Sequence, residues 1–348
     1  MDKKSTMAST KDITIASSNT PSPQFSEVVT MIQTAKQKVF AAVNTTLIDL
    51  YWEIGRFISQ QVEKSGWGKS VVEELANYIR TKEPNSEGFS KQNLWRMKQF
   101  YETYKDADEK LSALLREISW TNNIMIMSRS KSLDESVFYM DLCVKERLSS
   151  RQLERQIDSA LFERIRLSQP KLSPLLRELV PEAKHVFRDQ YVLEFIGGKD
   201  ATPEESLRNA LISRMKDFVL ELGKDFIFID QEYRLQVGNS DFRIDLLFYH
   251  RELQCLVAFE LKTEKFKPEH LGQLNFYLEA LDRDVKKPFE NPSIGILLCK
   301  SKDDEVVEYA LSRSLSPTMV AEYELKLPDK ALLQRKMQEL AEFMDGQD

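Results

Sequence analysis

The chain has 348 residues, 42% of them apolar and 30% charged, with a formal net charge of −6. That length accommodates two ordinary domains with separate cores, and the composition excludes a disordered, collagenous or disulfide-framed chain. The acidic balance excludes a global attraction to nucleic acid, so any DNA binding has to come from local basic patches.

No apolar run reaches the length of a membrane span, and the first residues lack a signal-peptide core. The expectation is a cytoplasmic protein with no membrane partner. Cys143, Cys255 and Cys299 are widely spaced inside apolar runs and read as reduced core thiols. His185, His250 and His270 form no ligand spacing with them, which speaks against zinc.

Residues 1–24 are rich in Ser, Thr and Lys and lack periodicity, so they read as a disordered leader. Residues 25–169 are helical in pattern. Val28, Val29, Ile32, Ala35 and Val39 open a long amphipathic helix that Leu47, Leu50, Tyr51, Ile54 and Ile58 continue. Ser65-Gly-Trp-Gly68 ends it, and a second helix follows around Val71, Leu75, Tyr78 and Ile79. Ser90 is the expected N-cap of a third, with Leu94, Met97, Tyr101 and Tyr104 as its buried stripe. Residues 170–203 read as a linker holding several prolines and the Gly197-Gly198 pair.

From residue 204 to 328 the alternation changes. A helix with Leu207, Leu211, Met215, Phe218 and Leu222 precedes the strands Phe226–Ile229 and Tyr233–Val237 and two more that carry acids. Pro268 begins another helix, followed by the strand Ile294–Cys299 and a helix at Val306–Leu311. The order of helix, three strands, helix and strand predicts a mixed sheet flanked by helices. Residues 329–348 form a C-terminal helical tail.

The chemistry concentrates in those acid-bearing strands. Asp245 sits among Phe242, Ile244, Leu246, Leu247 and Phe248. Fourteen residues separate it from Glu260-Leu-Lys262, which closes the run from Cys255. Side chains alternate along a strand, so Glu260 and Lys262 share a face while Val257, Phe259 and Leu261 take the other. Two acids and a lysine inside apolar strands are costly to desolvate without partners. A divalent metal would satisfy the carboxylates, and a lysine beside it could orient a water, which points to metal-dependent cleavage of a phosphodiester. Glu-x-Lys alone is a weak signal, since a strand acid is usually just solvated. Gln273 and Tyr277, four apart on the next helix, either fix a water or phosphate or serve only local hydrogen bonding and packing.

At these residues the sequence resembles the PD-(D/E)XK nuclease superfamily, whose acids and lysine match Asp245, Glu260 and Lys262. Gln273 and Tyr277 resemble the Gln-x-x-x-Tyr element of its exonuclease-like branch. Over residues 25 to 328 the chain resembles the YhcG-like family. The phrases that carry this are Tyr51-Trp-Glu-Ile-Gly55, Gly66-Trp-Gly68, Gly88-Phe-Ser-Lys-Gln-Asn-Leu94, Phe100-Tyr101, Ile118-Ser-Trp120, Asp245-Leu-Leu-Phe-Tyr-His250, Gly272-Gln273 and Ser293-Ile-Gly-Ile-Leu-Leu-Cys299. The resemblance implies an α+β chain: an all-helical, winged-helix-like DNA-binding domain followed by a restriction-endonuclease-like α/β domain. Two positions depart from the family pattern. Asn122 and Asn123 stand where a histidine is common, and Arg208 stands where the first helix of the core often supplies an acid, with Glu204, Glu205 and Glu221 as imperfect substitutes.

Asp245 and Glu260 would then hold Mg²⁺, for which Mn²⁺ could substitute, with the main-chain carbonyl of Leu261 as a third ligand. Lys262 would position or help deprotonate the attacking water, and Gln273 would orient a water or phosphate oxygen. Asp241 is either an accessory ligand or a turn cap after Gly238-Asn-Ser240. Arg243 either contacts the scissile phosphate or pairs with Asp241. For DNA, Lys91, Arg96 and Lys98 interleave with Gln92 and Asn93 on one helix, cations for phosphates and amides for base edges. Arg147, Arg151 and Arg155, spaced four apart, form a second basic stripe, unless they only pair with Glu154 and Asp158. Trp67 reads as a core aromatic rather than a stacking platform.

The expected function is metal-dependent DNA hydrolysis, with endonucleolytic action favoured. Two alternatives stand beside it. One is a catalytically silent nuclease fold that binds DNA or acts as an adaptor in a defence or mobile-element system. The other is a ribonuclease, although stacking aromatics for single-stranded RNA are not evident. Cutting both strands would favour a two-fold homodimer, which the long Phe25–Ser59 helices could supply.

Overall fold

The computed structural model describes residues 23–197 and 203–345. The leader expected over residues 1–24 lies outside them except for Pro23 and Gln24, as do Gly198 and the last three residues of the tail. The chain forms two compact units, one ending at Asp106 and one beginning at Ala107.

The first unit is built from α1 (Pro23–Ser65), α2 (Lys69–Lys82) and α3 (Lys91–Tyr104). Ile48, Tyr51 and Ile58 of α1 meet Leu94, Met97, Phe100 and Tyr104 of α3 in a buried core that Val72 and Ala76 of α2 complete. The helices approach closely at Gly55, where a Cβ would stand 2.1 Å from the Met97 carbonyl oxygen. Trp52 packs edge-on against Phe100 and Tyr101, and Trp67 against Phe57, which places Trp67 among packing aromatics. Ser90 caps α3 as expected, its hydroxyl accepting from the Asn93 N–H.

The second unit opens with α4 (Glu109–Glu117), α5 (Trp120–Arg129), α6 (Leu133–Glu146), α7 (Ser150–Asp158) and α8 (Leu161–Leu167). No strand occurs among the described residues before Lys171, so this region is helical throughout, without a strand pair to form a wing. Asn122 and Asn123 are buried braces here. Asn123 donates to the carbonyls of Leu115 and Ile118, and Asn122 donates to that of Leu148 while accepting from Ser150.

The stretch read as a linker is woven into the sheet. It holds β1 (Lys171–Leu172), α9 (Pro174–Leu179), α10 (Ala183–Val186) and β2 (Gln190–Val192). Then come α11 (Glu204–Ser213), α12 (Met215–Leu222), β3 (Phe226–Val237), β4 (Ser240–His250), β5 (Cys255–Lys265), α13 (His270–Ala280), β6 (Ile294–Ser301), α14 (Asp304–Leu311), β7 (Thr318–Glu324) and α15 (Lys330–Asp345). The seven-stranded sheet runs β1-β7-β6-β5-β4-β3, with β2 pairing β7 off this path. β3, β4 and β5 are antiparallel neighbours, while β5, β6 and β7 are parallel through helical crossovers, which makes the sheet mixed.

Alternation splits the core in two. Leu246, Phe248, Val257, Phe259 and Leu261 pack with α11 and α12 on one face. Leu247, Ala258 and Leu297 pack with Leu274 and Leu278 of α13 on the other. Gly295 lets α13 lie close, since a Cβ there would stand 2.9 Å from Leu274.

A buried anion ties the helical layer to the sheet. Glu221 of α12 is fully buried and accepts from Arg155 of α7, Arg164 of α8 and the Val192 N–H of β2, with Arg188 3.0 Å away. Burial alone would raise its pKa, but the three guanidiniums outweigh that and hold the carboxyl at about 2. At the other end, Lys330 of α15 sits 2.8 Å from Glu135 and 3.5 Å from Glu163, both buried, so the tail straps back onto α6 and α8. Cys143, Cys255 and Cys299 are buried and unbridged. No described helix is long and apolar enough to cross a membrane.

Candidate functional site

Asp245 and Glu260 meet because of strand register. β4 and β5 pair Leu246 with Phe259, and one further step of that antiparallel ladder sets Asp245 opposite Glu260. The parity that puts Leu247 and Ala258 toward α13 gives Asp245, Glu260 and Lys262 the same face. The Leu261 N–H donates to Asp245 Oδ2 at 2.9 Å, which locks the aspartate to the neighbouring strand.

Glu260 is 3% exposed. Its Oε1 accepts from Lys262 Nζ at 2.9 Å, while its buried Oε2 has no hydrogen-bond partner among the described residues. Burial first, then the charge of Asp245, push this carboxyl up to about 7 despite the opposing pull of Lys262. Burial works against the Lys262 ammonium, yet Glu260 and Glu204 together raise it above the ordinary lysine value. Lys262 reaches Glu204 at 3.2 Å, so the lysine spans two acids.

α13 brings Gln273 and Tyr277 beside these strands. Gln273 is exposed and donates to the Tyr277 hydroxyl, which is buried. Burial raises the Tyr277 phenol, the Gln273 bond opposes this, and the charges of Glu260 and Asp245 add to the rise. The pair is thus within electrostatic reach of both acids.

Of the three acids named as substitutes, the first helix of the core brings Glu204 to this corner. Glu205 is exposed, whereas Glu204 reaches Lys262. Arg208, one turn on from Glu204, donates to Asp245 Oδ1 at 2.9 Å and lies 3.3 Å from Glu232. Glu221, the remaining substitute, is consumed by its three arginines away from this corner.

Glu232 escapes the sequence reading altogether. Within the β3–β4 ladder, Gln231 faces Leu246 and Tyr233 faces Ile244, so Glu232 falls opposite Asp245. Three acids therefore occupy facing positions on β3, β4 and β5. Glu232 has a φ of 48°, a left-handed conformation rare for a residue with a side chain. Hairpin arithmetic could have found it, because the tight turn pairing Val237 with Ser240 fixes the partners back to Asp230, beyond which the register shifts. Asp241 pairs with Arg234 at the rim, and Arg243 lies 3.4 Å from Glu232 rather than pairing with Asp241.

Internal ion pairs engage several of the cations in the basic patches. On α3, Gln92 and Arg96 are exposed, but Lys91 pairs with Glu73 and Lys98 with Glu102. The Asn93 amide donates to the Gly88 carbonyl, a bond that braces the turn before the helix rather than facing outward. The proposed stripe of Arg147, Arg151 and Arg155 does not exist as a single helix face. Arg147 is the left-handed C-cap of α6, with φ 53°, while Arg151 and Arg155 belong to α7. Arg151 is exposed. Arg155 is bound internally by Glu194 and Glu221, which removes it from a DNA-facing role.

The donor set suits a hard divalent cation. Asp245 and Glu260 offer carboxylate oxygens, and the unpartnered Oε2 of Glu260 is a buried acceptor that lacks a positive neighbour of its own. Among the described residues no group of three or more His, Cys, Asp or Glu side chains converges to hold a metal. A cation here would complete its shell with a carbonyl and water, as magnesium commonly does.

Comparison with known proteins agrees with this geometry. Residues 184–338 match the family model described as YhcG PDDEXK nuclease domain, and residues 27–164 match DUF1016 N-terminal domain. The Escherichia coli (strain K12) protein named "Putative nuclease YhcG" is 31% identical over 343 residues, covering 88% of this chain and 90% of that protein. Among solved structures, a repair endonuclease from Pyrococcus abyssi aligns with 36% of this chain and 48% of its own at 20% identity, with a TM-score of 0.27 that bears on neither fold nor function. The identity over most of both sequences, with the facing acids and lysine of β4 and β5, establishes that this chain belongs to the YhcG family of nucleases of the PD-(D/E)XK type.

Proposed function

We propose that the chain is a divalent-metal-dependent DNA endonuclease, with phosphodiester hydrolysis at the β4–β5 corner and DNA recognition by the N-terminal helices. The observation that carries this reading is the buried, unpartnered Oε2 of Glu260 opposite Asp245, with Lys262 held 2.9 Å from the other oxygen. Asp245, Glu260 and the Leu261 carbonyl would hold Mg²⁺ or Mn²⁺. When bound, the cation supplies Lewis-acid stabilisation of the negative charge that gathers on the phosphoryl oxygens.

Lys262 keeps its proton at neutral pH, because its acids raise its pKa. It therefore positions the attacking water and counters developing charge rather than serving as the base. Gln273 and Tyr277 orient a water or phosphate oxygen from α13. Arg243, 66% exposed at the rim, is available to a backbone phosphate. On α3, Lys91, Gln92, Arg96 and Lys98 contact the duplex, with Arg151 as a separate phosphate contact.

Purified protein should cut supercoiled plasmid, linear duplex or branched DNA with Mg²⁺ or Mn²⁺ and not with EDTA, and Asp245→Ala, Glu260→Ala and Lys262→Ala should each lose the cut. Preference for RNA over every DNA would reassign the substrate. One observation favours a second reading, a nuclease fold that binds DNA without cutting: the Arg208 guanidinium sits on Asp245. DNA binding without cleavage, unchanged in the three variants, would establish it.

A further inference from the structure

Arg208 approaches Asp245 from α11 with its side chain only 12% exposed. Its Nη1 donates to Asp245 Oδ1 at 2.9 Å, its Nη2 lies 3.3 Å from Glu232, and its Nε is buried without a partner among the described residues. The Leu261 N–H takes the other oxygen of Asp245. Both aspartate oxygens are therefore engaged, in contrast to Glu260. A guanidinium and a divalent cation compete for the same carboxylate, by charge and by lone pair.

Glu232 gives the arginine a second anchor. It faces Asp245 across the ladder and holds a left-handed backbone conformation, φ 48°, that costs a non-glycine residue about 1 kcal/mol or more. The strain sits at an exposed residue whose carboxylate joins Arg208 and Arg243, and it fits a functional constraint there.

We infer that Arg208 is a latch on the metal-binding carboxylate. It holds Asp245 while no cation is bound, and it yields Oδ1 while staying anchored on Glu232 when the cation arrives. Arg208 thus sets how tightly this chain binds its metal. The inference rests on the proposed metal site, through which Arg208 acts as a positioning residue.

Isothermal titration of full-length protein with Mn²⁺ at pH 8, without DNA, tests it. Arg208→Gln should tighten Mn²⁺ binding by about fivefold or more, the Coulombic worth of one unit charge at contact distance even in a water-like dielectric. Arg208→Lys, which keeps the charge but loses the fork, should show a smaller gain in the same direction. Arg243→Gln removes one positive charge from near Glu232 without touching Asp245, and should change the affinity less than about twofold, because exposed charges are screened.

Unchanged or weaker binding in Arg208→Gln overturns the latch, and so does an equal gain in Arg243→Gln, which would assign the effect to the general field. Melting curves in EDTA show whether Arg208→Gln is folded; if it is not, an unchanged Arg208→Lys overturns the latch. Asp245→Ala separates the two levels. If it abolishes Mn²⁺ binding while the arginine variants leave it unchanged, the latch falls and the metal site stands. If wild type binds no Mn²⁺, or Asp245→Ala binds it equally well, the metal site falls and takes the latch with it.

Discussion

Glu260→Gln should make the metal-free protein more stable at pH 8 while abolishing cleavage. Glu260 is 3% exposed, faces Asp245 and carries an oxygen with no hydrogen-bond partner. Raising its carboxyl from the ordinary 4.5 to about 7 costs the ionised folded state about 3 kcal/mol. The folded protein holds this proton more tightly than the unfolded chain does, so the sign is fixed. Stability falls as pH rises from 4.5 to 7, and the penalty is complete above 7. Glutamine removes the charge at equal size, and the pull of Lys262 is already contained in that pKa. The net gain at pH 8 is about 3 kcal/mol, or roughly 6–12 °C in Tm for a unit of this size. Thermal melts in EDTA at pH 5 and pH 8 measure it, with the gap shrinking to about 1 kcal/mol or less at pH 5, where the folded Glu260 is protonated. Added Mn²⁺ should then raise the wild-type Tm and leave Glu260→Gln where it was. A variant less stable than wild type at pH 8 in EDTA would refute the reasoning, since it would show Glu260 to be a net structural asset rather than a strained ligand.

Three further outcomes are expected. Lys262→Ala should cut the single-turnover cleavage rate by about 10²–10³ while leaving the DNA Kd within about twofold, because the lysine stabilises developing charge rather than the bound duplex; a loss of binding that accounts for the whole effect would count against that role. Arg96→Ala and Lys98→Ala should each weaken DNA binding at every sequence and lower the slope of log K against log salt by about 1; an unchanged slope in fluorescence anisotropy would make α3 a solvated face. Glu221→Gln should destabilise the protein by about 3–5 kcal/mol in urea melts, because three guanidiniums lose their shared anion. The wild-type contribution of Glu221 is complete above pH 4.5 and drains away as pH falls toward 2, so the variant should have a flatter acid limb across that window.

Much of the fold was legible because its signals are local. Leu94, Met97 and Tyr104 of α3, the Ser90 cap and the Gly66–Gly68 break are written within a few residues of where they act, although Phe100 rather than the expected Tyr101 completes the buried stripe. The alternation from Val257 to Lys262 separated the two faces of β5, with Val257, Phe259 and Leu261 in one core and Ala258 in the other. What stayed hidden was non-local. β1 and β2 are two and three residues long and gain their strand character only by pairing with β7, more than a hundred residues away. Arg155 looked like part of a basic stripe because spacing shows which residues share a face but not which acids from α12 will cover it. Glu204 was a closer matter. It lies one turn from Arg208 on α11, and both flank the buried Leu207 and Leu211, so helical phase favoured it over Glu205.

The charge balance of the corner gives the metal reading a basis beyond residue matching. Glu204 shares Lys262, Glu232 shares Arg208 and Arg243, and Asp245 has Arg208 and a backbone N–H. Each of those acids has its oxygens served by a cation or sits partly in solvent. Among the described residues Glu260 has only the one polar contact from Lys262, and Glu204 competes for that same ammonium. A buried carboxylate oxygen with no partner is expensive, and an apolar side chain on β5 would pack more cheaply among Leu247, Ala258 and Leu297. Folding alone gives no reason for an acid there. On the proposed reading a metal cation that arrives after folding does, and Asp245, which faces Glu260 across the ladder and is held by Arg208, would share it.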